Sequence, residues 1–162
     1  MIRPARAADI PAIHRLIRDL ASYEKALAKV TGSEQDLRRT LLAEPPAVFA
    51  HVAEHDGEVG GFALWYLSFS TWEASHGIYL EDLYVRPELR GLGLGRALLA
   101  ELARICVERG YPRLEWAVLD WNTPSRGFYA SLGAAEMSEW IVNRLSGPAL
   151  RNLAAAEQPG RY

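Results

Sequence analysis

The stretch Tyr79–Leu102, YLEDLYVRPELRGLGLGRALLAEL, decides how the chain reads. It passes from a β-rich run through a loop with Gly91, Gly93 and Gly95. It then enters a segment that places Leu94, Leu98, Leu99, Leu102 and Ile105 at helical spacing. Strand, glycine loop and helix N-terminus together suit an anion. The first amides of a helix have no intrahelical acceptor, the macrodipole is positive there, and glycine lets a phosphate approach the backbone. Two phosphate signatures fail. A P-loop needs glycine at the sixth position from Gly91, where Arg96 stands, and a dinucleotide fingerprint fails in both registers, at Arg96 and at Leu98. What remains is R-x-x-G-x-G, formed by Arg90, Gly93 and Gly95, with Arg96 as a second cation. Taken alone, such glycines could equally be a turn that packs a helix close to a sheet.

Upstream, Ile2–Ala5 reads as an edge strand, and Asp9 caps a helix that runs to about Tyr23. Ser33–Asp36 is a capping box for a second helix through Leu42, ended by Pro45-Pro46. Asp56-Gly57 lies between β-rich runs, the pattern of a tight hairpin, and Ser75–Val85 is a further strand. Downstream, Gly110 closes the long helix that opens near Gly91, and Leu114–Leu119 is a strand. Thr123-Pro124 supplies a cap and an N1 proline for a short helix through Leu132. Trp140–Leu145 reads as a last strand, and the segment from Gly147 as a frayed, mobile tail. The order β-α-α-β-β-β-α-β-α-β describes an α/β (α+β) mixed sheet with helices on its faces, as a single domain over residues 1–162.

The bulk properties narrow the function. The 162 residues are 49% hydrophobic and 23% charged, with a formal net charge of -2. No basic excess points to nucleic acid, and no basic or long apolar segment points to a membrane. One cysteine, Cys106, fits a reducing compartment, so the cytoplasm is expected. His51 and His55 flank a hairpin turn, which is no spacing for a metal, and none is expected.

VRPELRGLGLGRALL resembles the acetyl-CoA pyrophosphate loop of the GCN5-related N-acetyltransferase (GNAT) superfamily, and DWNTPSRGFYASLGA, Asp120–Ala134, resembles its second cofactor segment. IRPARAADIPAIHRLIRDLASYE and IYLEDLYV resemble its diamine (spermidine/spermine) and thialysine N-acetyltransferase branch, so the likeness covers Ile2 to about Trp140. It implies a centrally splayed sheet of six to seven strands flanked by about four helices, and a homodimer. It implies that Leu83, Tyr84 and Val85 carry the pantetheine arm as an added strand. Arg90, Gly91, Leu92, Gly93, Leu94, Gly95 and Arg96 would hold the pyrophosphate. Asn122, Thr123, Pro124 and Ser125 would lie along pantetheine and nucleotide.

The implied chemistry is an amine attacking a thioester in a ternary complex. An alkyl ammonium with a pKa near ~10.4 is neutral in about one molecule in 10³ at pH 7, so a carboxylate must bind it and take its proton. Glu81 matches the acidic amine contact of the branch, and Asp82, one residue on, is expected on the opposite face. Tyr129 in GFYASLG matches the general-acid tyrosine; otherwise it would be a core aromatic on a short helix. Tyr23, Glu24, Glu115, Trp116 and Ala117 match substrate-lining positions, and Trp72 ends the aromatic run WYLSFSTW. Acids and aromatics suit a cationic amine, although Trp65, Trp72 and Trp116 would also serve as core or interface residues. The expectation is acetyl transfer from acetyl-CoA to a polyamine, diamine or lysine-like amine. The alternatives are a protein or peptide N-acetyltransferase and a non-catalytic acyl-CoA sensor.

Overall fold

The computed structural model describes residues 1–156. The chain divides into two compact units, Met1–Ala117 and Val118–Tyr162. The first unit is a five-stranded sheet in the order β1-β2-β3-β4-β5: β1 (Ile2–Pro4), β2 (Val48–His55), β3 (Glu58–Ser70), β4 (Ser75–Val85) and β5 (Leu114–Trp116). The first four strands are antiparallel neighbours, and β5 joins β4 in parallel. Asp56-Gly57 makes the β2–β3 turn, as its composition requires.

Helices α1 (Ile10–Tyr23) and α2 (Glu34–Leu41) pack on one face, where Ile13 and Leu16 meet Ala50, Val52, Phe62 and Tyr84. The Ser33 hydroxyl accepts from the Asp36 amide, which fixes the start of α2. Helix α3 (Leu94–Arg109) lies on the other face and buries Leu98, Leu99, Leu102, Ile105 and Cys106. A fully buried leucine such as Leu98 or Leu102 contributes roughly 1.5–3 kcal/mol. Trp65 belongs to this core, and its Nε1 donates to His51 Nδ1 at 3.1 Å.

Close approach sets one sequence choice near the site. A Cβ on Gly61 would stand 2.9 Å from the Tyr84 carbonyl oxygen, so only glycine lets β3 and β4 come together here. The neighbouring Gly60 leaves room for the buried Leu89 just before the glycine loop.

The second unit holds α4 (Thr123–Ser131) and α5 (Gly147–Ala155). Three sequence expectations change. β5 stops at Trp116 instead of Leu119. Residues 140–145 form no strand: an apolar run becomes one only where a neighbouring strand takes its hydrogen bonds, and among the described residues none does. The described sheet therefore has five strands instead of six to seven. The segment expected to fray begins with α5, and residues 157–162 of that tail lie outside the described part.

Candidate active site

The site begins with an interrupted pairing. β5 meets β4 only through Ile78, Tyr79 and Leu80, opposite Leu114, Glu115 and Trp116. Beyond Leu80, β4 continues to Val85 and, among the described strands, pairs with β3 alone. The Arg86 amide donates to Gly60 O on β3. Alternation then turns the N–H and C=O groups of Leu83 and Val85 towards the open edge. An extended amide-bearing chain can add there as a strand.

A second irregularity sits at the same place. Leu64 pairs with Asp82 and Trp65 with Leu80, so Glu81 is an extra residue, a β-bulge. The bulge breaks the alternation assumed for Glu81 and Asp82. On unbulged β3, Phe62, Leu64 and Tyr66 share one face. They stand opposite Tyr84, Asp82 and Tyr79, so both carboxylates lie on the α1 face instead of on opposite faces.

Electrostatics follow from that crowding. Burial pushes the Asp82 carboxyl up to about 6, assisted by the charges of Glu81 and Glu24. Burial also raises Glu24, at the end of α1. The phenols of Tyr66 and Tyr79 are raised as well, first by burial and then by the Glu81 charge. Their rings lie 5.2 Å apart. Glu81 itself is exposed. The structure thus gathers two further carboxylates and two phenols near a half-buried aspartate.

The glycine loop opens from the same strand. Gly91 and Gly93 have φ of 81° and 79°, and a Cβ at either would meet nothing within 4 Å, so the loop's surface faces open space. Gly93 is the N-cap of α3, and no side chain caps that helix. The first-turn amides of Leu94, Gly95 and Arg96 remain available to an anion. Leu92 and Arg96 are exposed beside them. Open β4 edge, uncapped helix end and exposed cation together fit the arm and pyrophosphate of a CoA thioester. Arg90 does something further: its Nε donates to Val85 O at 3.0 Å. Its guanidinium stands 5.5 Å from the Tyr23 ring centroid and 5.4 Å from that of Tyr84.

In the second unit, buried Asn122 caps α4 by accepting from the Ser125 amide at 3.3 Å. Asn122 is therefore the cap, and Thr123 and Pro124 form the first turn. Tyr129 lies on α4 with its ring 5.4 Å from Phe128. Arg126 binds Glu136 through two nitrogens and the Asp120 carbonyl through a third, which ties the segment around α4.

The other acceptor candidates differ in placement. Glu115 lies across from Tyr79, and Arg113 Nε reaches it at 3.1 Å, so its charge is already partly matched. Trp116 is half-buried and Ala117 exposed. Trp72 is 89% exposed at the β3–β4 turn. Six residues separate Ser75 from Glu81, about 20 Å of strand, so the chain does not bring Trp72 to the carboxylates. Asp82, Tyr66 and Tyr79 are the additions that sequence patterning missed. A cavity of about 640 Å³ lined by Leu41, Phe49, His51, Trp65 and Glu101 includes none of these residues. Among the described residues no group of three or more His, Cys, Asp or Glu could hold a metal ion.

Comparison with known proteins agrees with this geometry. The sequence model of the Acetyltransferase (GNAT) family matches residues 13–134. A thialysine N-epsilon-acetyltransferase from Bos taurus is 42% identical over 165 residues, covering 95% of this chain and 96% of that protein. An L-ornithine N5-acetyltransferase from Arabidopsis thaliana is 29% identical, covering 93% of this chain and 86% of that protein. The solved structure of an integron cassette protein from V. cholerae superimposes with a TM-score of 0.79 at 28% identity, over 96% of this chain and 98% of that one. The chain belongs to the GNAT acetyltransferase family and is an acetyl-CoA-dependent N-acetyltransferase.

Proposed function

We propose that this enzyme acetylates the primary amine of a small cationic acceptor, a diamine, polyamine or lysine-like amine. The observation that carries the reading is the cluster of Glu81, Asp82 and Glu24 at the open edge of β4. A carboxylate cluster selects a cation, and its position beside the strand edge would put the amine next to the arm of the cosubstrate. The relatives that act on thialysine and L-ornithine support an acceptor of this class.

When bound, acetyl-CoA supplies an acyl thioester whose carbonyl carbon accepts a nitrogen nucleophile. The residues of this chain supply the rest. Glu81, exposed, meets the ammonium first, and Asp82, half-buried, holds it and takes its proton. Moving a proton from an amine near ~10.4 to a carboxylate at about 6 is uphill by roughly 6 kcal/mol. An aspartate at its ordinary 3.8 would add about 3 kcal/mol to that step, so the raised value favours catalysis. The N–H groups of Leu83 and Val85 serve as donors for the arm and for developing negative charge. The Tyr129 phenol holds at Oη the proton that the departing sulfur needs.

The enzyme is a homodimer in this reading. Trp140, Ile141, Val142, Leu145, Leu150 and Leu153 are all more than half exposed, an apolar set that association would cover. Its single cysteine, Cys106, is buried and suits the cytoplasm. A thiol-release assay with acetyl-CoA against polyamines, diamines, thialysine, lysine, ornithine and peptides tests the acceptor. Turnover of peptides without turnover of any free amine would replace this reading with the protein acetyltransferase.

A further inference from the structure

Arg90 opens the R-x-x-G-x-G motif, yet its side chain points back from the loop. Its Nε donates to the Val85 carbonyl, on the strand edge that would carry the arm of the cosubstrate. Its guanidinium carbon stands over two tyrosine rings, 5.5 Å from the centroid of Tyr23 and 5.4 Å from that of Tyr84. Tyr84 is buried in the α1 core, while Tyr23 is the last residue of α1 and precedes Glu24 of the carboxylate cluster. A cation over an aromatic ring gains modestly at each contact even at an exposed site such as Arg90. Arg90 therefore touches three things at once: the cofactor edge of β4, the core, and the acceptor end of α1.

We propose that Arg90 is a positioning residue that ties the acceptor end of α1 to the cofactor edge of β4, so that Tyr23 sets how tightly the glycine loop holds CoA. The proposal rests on the acetyl-CoA-dependent reading of the loop and not on which amine is the acceptor. Its physical basis is local. Gly91 and Gly93 leave the loop backbone free to move, and the Arg90 side chain is a tether fixing its first residue. Removing the Tyr23 ring takes away one of the two ring contacts that hold the exposed guanidinium in place. The tether loosens, and ordering the loop around an anion then carries a larger entropic penalty. The linkage is reciprocal: an acceptor that orders Tyr23 and Glu24 tightens CoA, and CoA tightens the acceptor.

The test is a double-mutant cycle read by calorimetric titration of CoA, with no turnover involved. Tyr23→Leu is expected to weaken CoA binding ~3–10-fold, and Tyr23→Phe, which keeps the ring, less than ~2-fold. Arg90→Met is expected to weaken binding by at least as much, and adding Tyr23→Leu to it to cost nothing further. Arg90→Lys keeps the charge but loses the flat stacking surface and the Nε–H bond, so it should resemble Arg90→Met. Full rescue by lysine would make Arg90 a simple countercharge for the pyrophosphate and overturn the proposal. So would unchanged CoA affinity in Tyr23→Leu, or additive effects in the double variant. Thermal melting of each variant confirms that the fold is retained. A wild-type enzyme that acetylates no free amine would refute the acceptor reading and leave this cycle intact.

Discussion

In the proposed reaction, Asp82 concentrates the chemistry in one side chain. Its carboxyl is raised to about 6 because it is buried and flanked by Glu81 and Glu24. Two consequences have opposite signs. For activity, the ionised form must bind the ammonium, so kcat/KM for the amine should fall as pH drops below about 6, and Asp82→Asn should abolish that inflection and most of the turnover. For stability, the folded state prefers the protonated acid. The favourable contribution is full below the ordinary value of 3.8 and is lost as pH rises through about 6. Asp82→Asn should therefore melt higher than the wild type at pH 8, and the gain should vanish near pH 4; equal melting temperatures at both pH values would show that Asp82 is not strained. At Tyr129 the proposed acid role is separable from binding. Tyr129→Phe should lower kcat by ~10²-fold while CoA affinity stays within about twofold, and an unchanged kcat would remove that role.

The elements show where sequence reading holds and where it stops. Periodicity located α1, although the Asp9 carboxylate binds Arg3 and the Arg6 amide instead of capping that helix; caps, turn residues and β-rich composition located the Ser33 start of α2, the Asp56-Gly57 hairpin and the full extent of β4. Those signals are local, so one chain segment carries them. The bulge at Glu81 is a relation between two strands, and period-two reasoning placed Asp82 on the wrong face because nothing in LEDLY marks an unpaired residue. The end of β5 and the missing strand at 140–145 have the same origin: strand length depends on the partner. The contact between Arg90 and Tyr23 was equally hidden, since it joins residues far apart in the chain. One close approach does leave a mark in the sequence, the Gly60-Gly61 pair. Gly61→Ala would press a methyl group against the Tyr84 carbonyl at 2.9 Å, and it should destabilise the protein by roughly 1–3 kcal/mol. Urea unfolding reads this directly, and a shift below ~0.5 kcal/mol would mean that β3 and β4 can part without penalty.

For the molecule as a whole, family membership was legible from two motifs in the right order, whereas the exposed apolar set proposed to meet a second copy was not. In the sequence, Trp140–Leu145 reads as a last strand and the segment from Gly147 as a frayed tail; the exposure of their apolar side chains appears only in the structure. A homodimer should give about twice the 18.0 kDa chain mass by light scattering, and Ile141→Asp with Val142→Asp should return it to the monomer. A monomeric wild type at micromolar concentration would refute the dimer.

The acceptor is tested most directly by kcat/KM for acetyl transfer, measured side by side on free amines and on peptides. A carboxylate cluster built for a small cation predicts that a diamine, polyamine or lysine-like amine exceeds lysine-bearing and N-terminal peptides by ~10-fold or more, with Asp82→Asn erasing the preference. Equal or faster turnover of peptides, unaffected by Asp82→Asn, would contradict it.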